Sequence, residues 1–295
     1  MPEARAPIVV GIDESPGTDD ALRWALDEAR ARGVGVRLLY AYGSDLTYDG
    51  VAIYGTLPMP QSDDVRVHAM QVALGIAERA ATLAPDIEVN TDIVAERAST
   101  ALVAASADAC LVVVGSRRIS TFASFVVGSV SAAVSVRAEC PVVVVRGPGA
   151  TATATEPGAV VVGVDGRPSS QNVLAFAFAF ASRHSIALHA VLCWRPDVLA
   201  EMVWRPTPPA PSQADALLSE ALAGWREKYP DVTVQSGVTR IHPVDGLVAA
   251  SNAQALLVVG RRGHHEMAGT LLGSVTMGVL HHATCPVAVI ADVPA

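Results

Sequence analysis

Charge and aromaticity are both scarce in this chain of 295 residues: 17% of residues are charged and 5% aromatic, against 51% hydrophobic. So apolar a composition excludes a disordered chain and suits parallel strands buried on both faces. An excess of basic residues is also missing. The net charge is −8, so the electrostatic footprint of a nucleic-acid coat is absent and anionic membranes are poor partners. No run of about 18 apolar residues occurs, and the N-terminus passes into the strand-like Ile8-Val9-Val10 without an apolar signal core, so neither export nor membrane insertion is expected. Cysteine is rare: Cys110, Cys140, Cys193 and Cys285 are far apart, form no CxxC pair and sit in apolar stretches, as structural thiols of a reducing cytoplasm do. Neither a GxxxxGK[ST] segment nor an early GxGxxG is present, which disfavours P-loop NTPases and dinucleotide-binding Rossmann domains.

What the chain does have is an internal repeat. Ile8 to Asp13 (IVVGID) recurs as Val160 to Asp165 (VVVGVD), so Gly11 maps to Gly163 and Asp13 to Asp165. Gly128-Ser129-Val130 recurs as Gly273-Ser274-Val275, and Ala138-Glu139-Cys140-Pro141-Val142 as Ala283-Thr284-Cys285-Pro286-Val287. Repeats this long mark duplicated domains rather than a solenoid. The small, polar stretch 148–158, with Pro and Gly at its ends, reads as a linker between a domain over 1–147 and a second over 159–295.

Within each half, β-branched runs alternate with amphipathic stretches, the pattern of βαβ units. Strands are expected near 8–13, 35–41, 87–93, 110–114 and 141–146, then near 159–165, 186–193, 232–238, 255–259 and 286–291. A helix from Ser15 or Gly17 to Arg32 would have Pro16 at its first position and Leu22, Trp24, Ala25 and Ala29 on its apolar side. Right-handed crossovers then require two doubly wound α/β domains, each a parallel sheet with helices on both faces. Ligands of such sheets bind beyond the C-terminal strand ends, where strand order reverses.

After the fourth strand of the second half comes Gly260-Arg261-Arg262-Gly263, then nine residues, then Gly273-Ser274-Val275. The first pair of glycines lets the backbone turn and its N–H groups approach an anion; Gly273-Ser274 opens a helix whose positive end favours phosphate. Asp165 would face the same crevice, hydrogen-bonding a ribose or sharing in a hydrated Mg²⁺. In the first half the spacing survives as Gly115-Ser116-Arg117-Arg118, nine residues, Gly128-Ser129-Val130, with Asp13 in the acidic position, but Arg118 replaces the second glycine.

Plainer roles exist for the same residues. The two aspartates suit turn capping, the two serines N-capping, and the loop arginines solvation. The doublets His264-His265 and His281-His282 lack the spacing and companions of a metal site, and Trp194, Trp204, Trp225 and Phe176, Phe178 and Phe180 suit packing. Two long segments after the second strands, 42–60 and 195–211, read as loops over the crevice mouths, suited to lids or to partner surfaces.

In G-x₂-G-x₉-G-[ST] after the fourth strand, an Asp after the first, and a closing Cys-Pro-Val strand in each half, the chain resembles the universal stress protein family, in its tandem ATP-binding form. The resemblance implies a five-stranded parallel sheet of order 3-2-1-4-5 per domain and ATP or AMP in the crevice. It places the adenine near Ala41-Tyr42 and Cys193-Trp194 and implies Gly11 and Gly163 among the nucleotide-binding residues. It also implies pairing of the halves through their last strands, as a fused dimer, and a possible homodimer of the whole chain. The expected function is an ATP-binding, stress-related regulator or sensor whose occupancy alters its surface. The alternatives are a slow ATP hydrolase or nucleotide transferase, with Asp13 or Asp165 holding Mg²⁺, and an interaction module with empty glycine turns.

Overall fold

A computed structural model describes residues 6–43, 63–116, 128–146, 158–166, 170–193, 211–261 and 272–291. They fall into two compact units, and of the linker expected over 148–158 only Gly158 lies among the described residues.

The first unit runs β1 (Ile8–Ile12), α1 (Gly17–Arg32), β2 (Val36–Ala41), α2 (Asp63–Leu83), β3 (Val89–Val94), α3 (Ala98–Ala105), β4 (Leu111–Gly115), α4 (Ser129–Arg137) and β5 (Val142–Val145). All of its strand pairs are parallel, in the order β3-β2-β1-β4-β5. The second unit repeats the plan as β6 (Val160–Gly163), α5 (Ser170–His184), β7 (Leu188–Cys193), α6 (Pro211–Lys228), β8 (Val234–Thr239), α7 (Pro243–Ala250), β9 (Leu256–Gly260), α8 (Ser274–His282) and β10 (Val287–Ile290). Its order is β8-β7-β6-β9-β10, again parallel. Each is therefore a doubly wound 3-2-1-4-5 sheet, as expected, and the strands lie within about two residues of the predicted spans.

Composition follows position in the sheet. The central strands β1, β4, β6 and β9 are runs of Ile, Val and Leu buried on both faces, whereas β3 and β8 carry Asn90, Asp92, Gln235 and Ser236. Helix α1 begins at Gly17 rather than Ser15, with Pro16 just before it in the capping position, and buries Leu22, Ala25 and Ala29. Gly11 and Gly163 admit a helix to the sheet: a β-carbon at Gly11 would lie 3.0 Å from Leu102 of α3, and one at Gly163 3.1 Å from Leu247 of α7. In the second unit Phe178 stacks on Trp225 at 5.9 Å while the indole Nε1 donates to Gln171 Oε1 at 2.9 Å, a packing role for both rings. Trp194, Trp204 and His264-His265 lie outside the described residues.

Candidate functional site

In each sheet the chain leaves the central strand in one direction and later returns to its other side, so β1 and β4, and likewise β6 and β9, flank the point where strand order reverses. The residues that follow these strands are the ones the sequence singled out. Asp13 follows β1 and Asp165 follows β6 by two residues; Gly115 and Gly260 close β4 and β9.

Both aspartates shape the turn into the following helix. Asp13 Oδ1 accepts from the Ser15 N–H at 2.9 Å and lies 2.5 Å from Ser15 Oγ and 2.9 Å from Thr18 Oγ1. The Thr18 hydroxyl also accepts the Asp13 N–H at 3.0 Å, so the turn from Asp13 closes on the first residues of α1. In the second unit Ser170 Oγ donates to Asp165 Oδ1 at 2.5 Å. Thr18 and Ser170 stand at matching positions, five residues after the aspartate, a hydroxyl signal that sequence reasoning missed.

The glycine-serine pairs open α4 and α8 as predicted, but with glycine, not serine, as the N-cap. Gly128 has φ −62° and ψ 150°, Gly273 φ −57° and ψ 147°, and neither helix has a side-chain cap. Their carbonyls accept the first helical bonds, from Ala132 at 3.0 Å and Met277 at 2.9 Å. Ser129 and Ser274 are the first helical residues and are exposed. A glycine cap offers no oxygen to the first-turn N–H groups, which include those of Ser129 and Val130 and of Ser274 and Val275, so the positive end of each helix is left for another acceptor.

A second hydroxyl fixes each helix to its strand. Ser131 Oγ donates to the Gly115 carbonyl at 3.4 Å, and Thr276 Oγ1 to the Gly260 carbonyl at 2.7 Å. Both side chains are buried. The backbone after each strand is held as well: the Ser116 N–H donates to Val145 O at 2.9 Å and the Arg261 N–H to Ile290 O at 2.7 Å. In the second unit the Gly273 N–H donates to the Arg261 carbonyl at 3.0 Å, joining the cap of α8 to the residue after β9. Arg117, Arg118, Arg262 and Gly263 lie outside the described residues.

Gly115 has a role that the motif alone did not suggest. A β-carbon there would lie 2.5 Å from the Gly17 carbonyl oxygen, so the turn carrying Asp13 rests on the end of β4, backbone against backbone. At Gly128 an added β-carbon would meet only Ser131 Oγ, at 3.9 Å, and space remains.

Three further residues collect at the first unit's strand ends. Tyr40, paired with Ile12 across β1 and β2, has its phenol pKa raised by burial and, beyond that, by the charges of Glu14 and Asp13. Glu14 in turn lies 2.6 Å from Nε2 of His68 on α2, joining the β1–α1 turn to that helix. The second unit has Leu192, Gly166 and Gln213 at the matching positions. His281 and His282 occupy the last turn of α8, with ring centres 6.4 Å apart. Among the described residues no helix is long and apolar enough to cross a membrane.

Comparison with known proteins accords with this duplicated architecture. Residues 5–146 and 158–291 each match the model of the universal stress protein family. The chain is 36% identical over 288 residues to a universal stress protein of Mycobacterium tuberculosis, covering 96% of this chain and 95% of that one. It is 33% identical over 284 residues to another from Mycolicibacterium smegmatis, covering 96% of each. In three dimensions it is similar to the crystal structure of a universal stress protein from Archaeoglobus fulgidus, with a TM-score of 0.73, 18% identity, and coverage of 98% of this chain and 99% of that chain, a likeness of fold.

Proposed function

The chain belongs to the universal stress protein family, and from that premise we propose that it is a stress-response regulator that binds ATP at the glycine-capped helix ends, with occupancy altering its surface and its interactions. The observation that carries this reading is the duplicated helix start. Twice, beside the reversal point of a parallel sheet, a nine-residue helix opens on a glycine cap and an exposed serine with no side-chain cap, anchored to the strand end by a buried hydroxyl. Uncapped N–H groups with a positive dipole end suit phosphate. An anchored helix presents them without reorganisation.

On this reading Gly128, Ser129 and Val130, and Gly273, Ser274 and Val275, receive the phosphates, with Ser116 and Arg261 following the strand ends. Asp13 and Asp165 lie on the ribose side, and Mg²⁺, entering with the triphosphate, would meet these carboxylates through water. The residues fit such a group: the cradle consists of donors, and each aspartate already accepts hydroxyl donors at Oδ1.

The test is mass spectrometry of the gently purified chain under native conditions, followed by calorimetric titration with ATP. Copurifying adenine nucleotide, and an ATP affinity reduced about fivefold by Ser274→Ala for loss of one hydrogen bond, support the reading. A chain that carries no nucleotide and gives no heat with ATP or AMP overturns it.

A further inference from the structure

Of the starts of α1, α3, α4, α7 and α8, only that of α7 is closed by a side chain, and the side chain is an imidazole. Nδ1 of His242, in the capping position, accepts the Val244 N–H at 3.3 Å. An imidazole nitrogen accepts only while it is unprotonated, so the ring that caps α7 is neutral and carries its proton on Nε2. Pro243 follows as the first helical residue, where its fixed φ and missing N–H suit the helix start. The capped residue is also the one on which the neighbouring helix rests. A β-carbon at Gly278 of α8 would lie 2.6 Å from Cγ2 of Val244, so α8 closes onto that side chain with no room between them. At the matching positions the first unit has Arg97, Ser99 and Ala133; a guanidinium has no acceptor, and α3 has no side-chain cap.

We infer that His242 is an acid-sensitive latch of the second unit: the neutral ring holds the first turn of α7, that turn holds Val244 against Gly278, and protonation of the ring releases both. Imidazole is the side chain that gains a proton just below neutrality. The cation has no lone pair at Nδ1 and stands at the positive end of a helix, so the cap is lost and repulsion replaces it. Few other charges surround the ring. Arg240 precedes it by two residues and Asp245 follows it by three. Of the strands beside α7, β6 and β8 have no titratable side chain, and β7 has His189 near its start and Cys193 at its end, a thiol pushed up to about 11 by burial and therefore neutral throughout. Helix α8 carries His281 and His282 in its last turn, past Gly278. His242 is exposed and water competes for the Val244 N–H, which limits the effect to a few-fold. The start of α8 is the proposed phosphate site; an effect of the latch on ATP rests on that reading, whereas the latch itself does not.

The experiment is NMR of the intact chain from about pH 8 to about pH 5, across the imidazole range, following the His242 ring and hydrogen exchange at the Val244 and Gly278 amides, expressed as protection relative to the intrinsic rate at each pH. Protection at both amides is expected to fall about two- to fivefold in acid, with the midpoint of the ring's own titration. His242→Asn supplies a capping oxygen that does not titrate and should abolish the change at both. His242→Ala should show the acid values at every pH. Val244→Ala keeps the cap and removes the contact, so the residue 244 amide should still respond to pH and Gly278 should not. The inference is overturned if His242→Asn retains the wild-type response, which assigns it to His189, His281 or His282, or if the Val244 amide follows the ring while Gly278 does not. ATP titration followed at the Ser274 amide compares the wild type with His242→Asn at one pH, which cancels the ligand's own protonation. The wild type should bind more weakly in acid by a few-fold, the two converging above about pH 7. Equal affinities in acid overturn the link to the phosphate site, and no binding by either chain at any pH overturns the nucleotide reading instead, with the latch decided by the amides alone.

Discussion

Gly246 and Cys193 leave no room for a side chain between them: a β-carbon at Gly246 of α7 would lie 2.5 Å from the Cys193 sulfur at the end of β7. In the first unit the matching positions are Ala101 and Ala41, so the volume that cysteine adds at one site is removed at the other. Gly246→Ala is expected to destabilise the second unit by about 1–3 kcal/mol through overpacking, and Cys193→Ala in the same chain to restore most of that loss. Chemical denaturation of the two single variants and the double variant measures the coupling; additive effects would show that the pair does not share its space.

A second prediction concerns helix ends. Gly33 caps α1 in the left-handed conformation, φ 65°, and its counterpart after α5 is Ser185 at φ 53°. A β-carbon at Gly33 would touch nothing within 4 Å, so the two positions differ by backbone conformational energy rather than by packing. Ser185→Gly should stabilise the protein by about 0.5–1 kcal/mol, and Gly33→Ser should destabilise it by a similar amount. Thermal melts of both variants check the opposite signs.

The third is a pH dependence. Arg30 donates Nε to Asp86 Oδ2 at 2.8 Å and an Nη2 proton to Oδ1 at 2.7 Å, and these hydrogen bonds hold the Asp86 carboxyl down at about 2. Because the folded value lies below the unfolded one, the stabilisation is fully present above the ordinary aspartate range. It is lost as pH falls from ~4 through about 2. Carbon-detected NMR titration should place the Asp86 midpoint near 2, and Arg30→Gln should return it toward the ordinary value.

The fourth separates two kinds of glycine in the first crevice. Gly115→Ala would press a methyl group onto the Gly17 carbonyl and should cost stability, on the order of 1–3 kcal/mol, by displacing the turn that holds Asp13. Gly128→Ala meets open space and should leave denaturation unchanged within about 0.5 kcal/mol, while narrowing the approach of phosphate to α4 and weakening nucleotide binding. Equal losses of stability in the two variants would contradict this division.

Much of the architecture was legible without coordinates. The recurrence of Gly11 and Asp13 as Gly163 and Asp165, with apolar runs at strand length, was enough for two parallel α/β units and for nearly every strand, because a period-two or fully apolar pattern leaves few ways to bury itself. The glycines and aspartates of the crevice were legible for the same reason: turn residues act locally, and their spacing survives in the sequence. What each of them does was decided only by the fold. Gly11 faces Leu102 and Gly115 faces Gly17, partners distant in sequence, so the same letter that suggested room for a ligand serves packing in those two places. The hydroxyls of Thr18, Ser131 and Thr276 acquire meaning only when a strand end comes within hydrogen-bonding distance. Replacement of the ion pair between the buried Glu28 and the half-buried Arg32 by stacked Phe180 and His184 is likewise visible only when the two units are compared in space. Sequence by itself determined the elements and their order, since local periodicity and turn chemistry specify them. The tertiary structure decided which side chains meet, since packing joins residues that the chain keeps far apart.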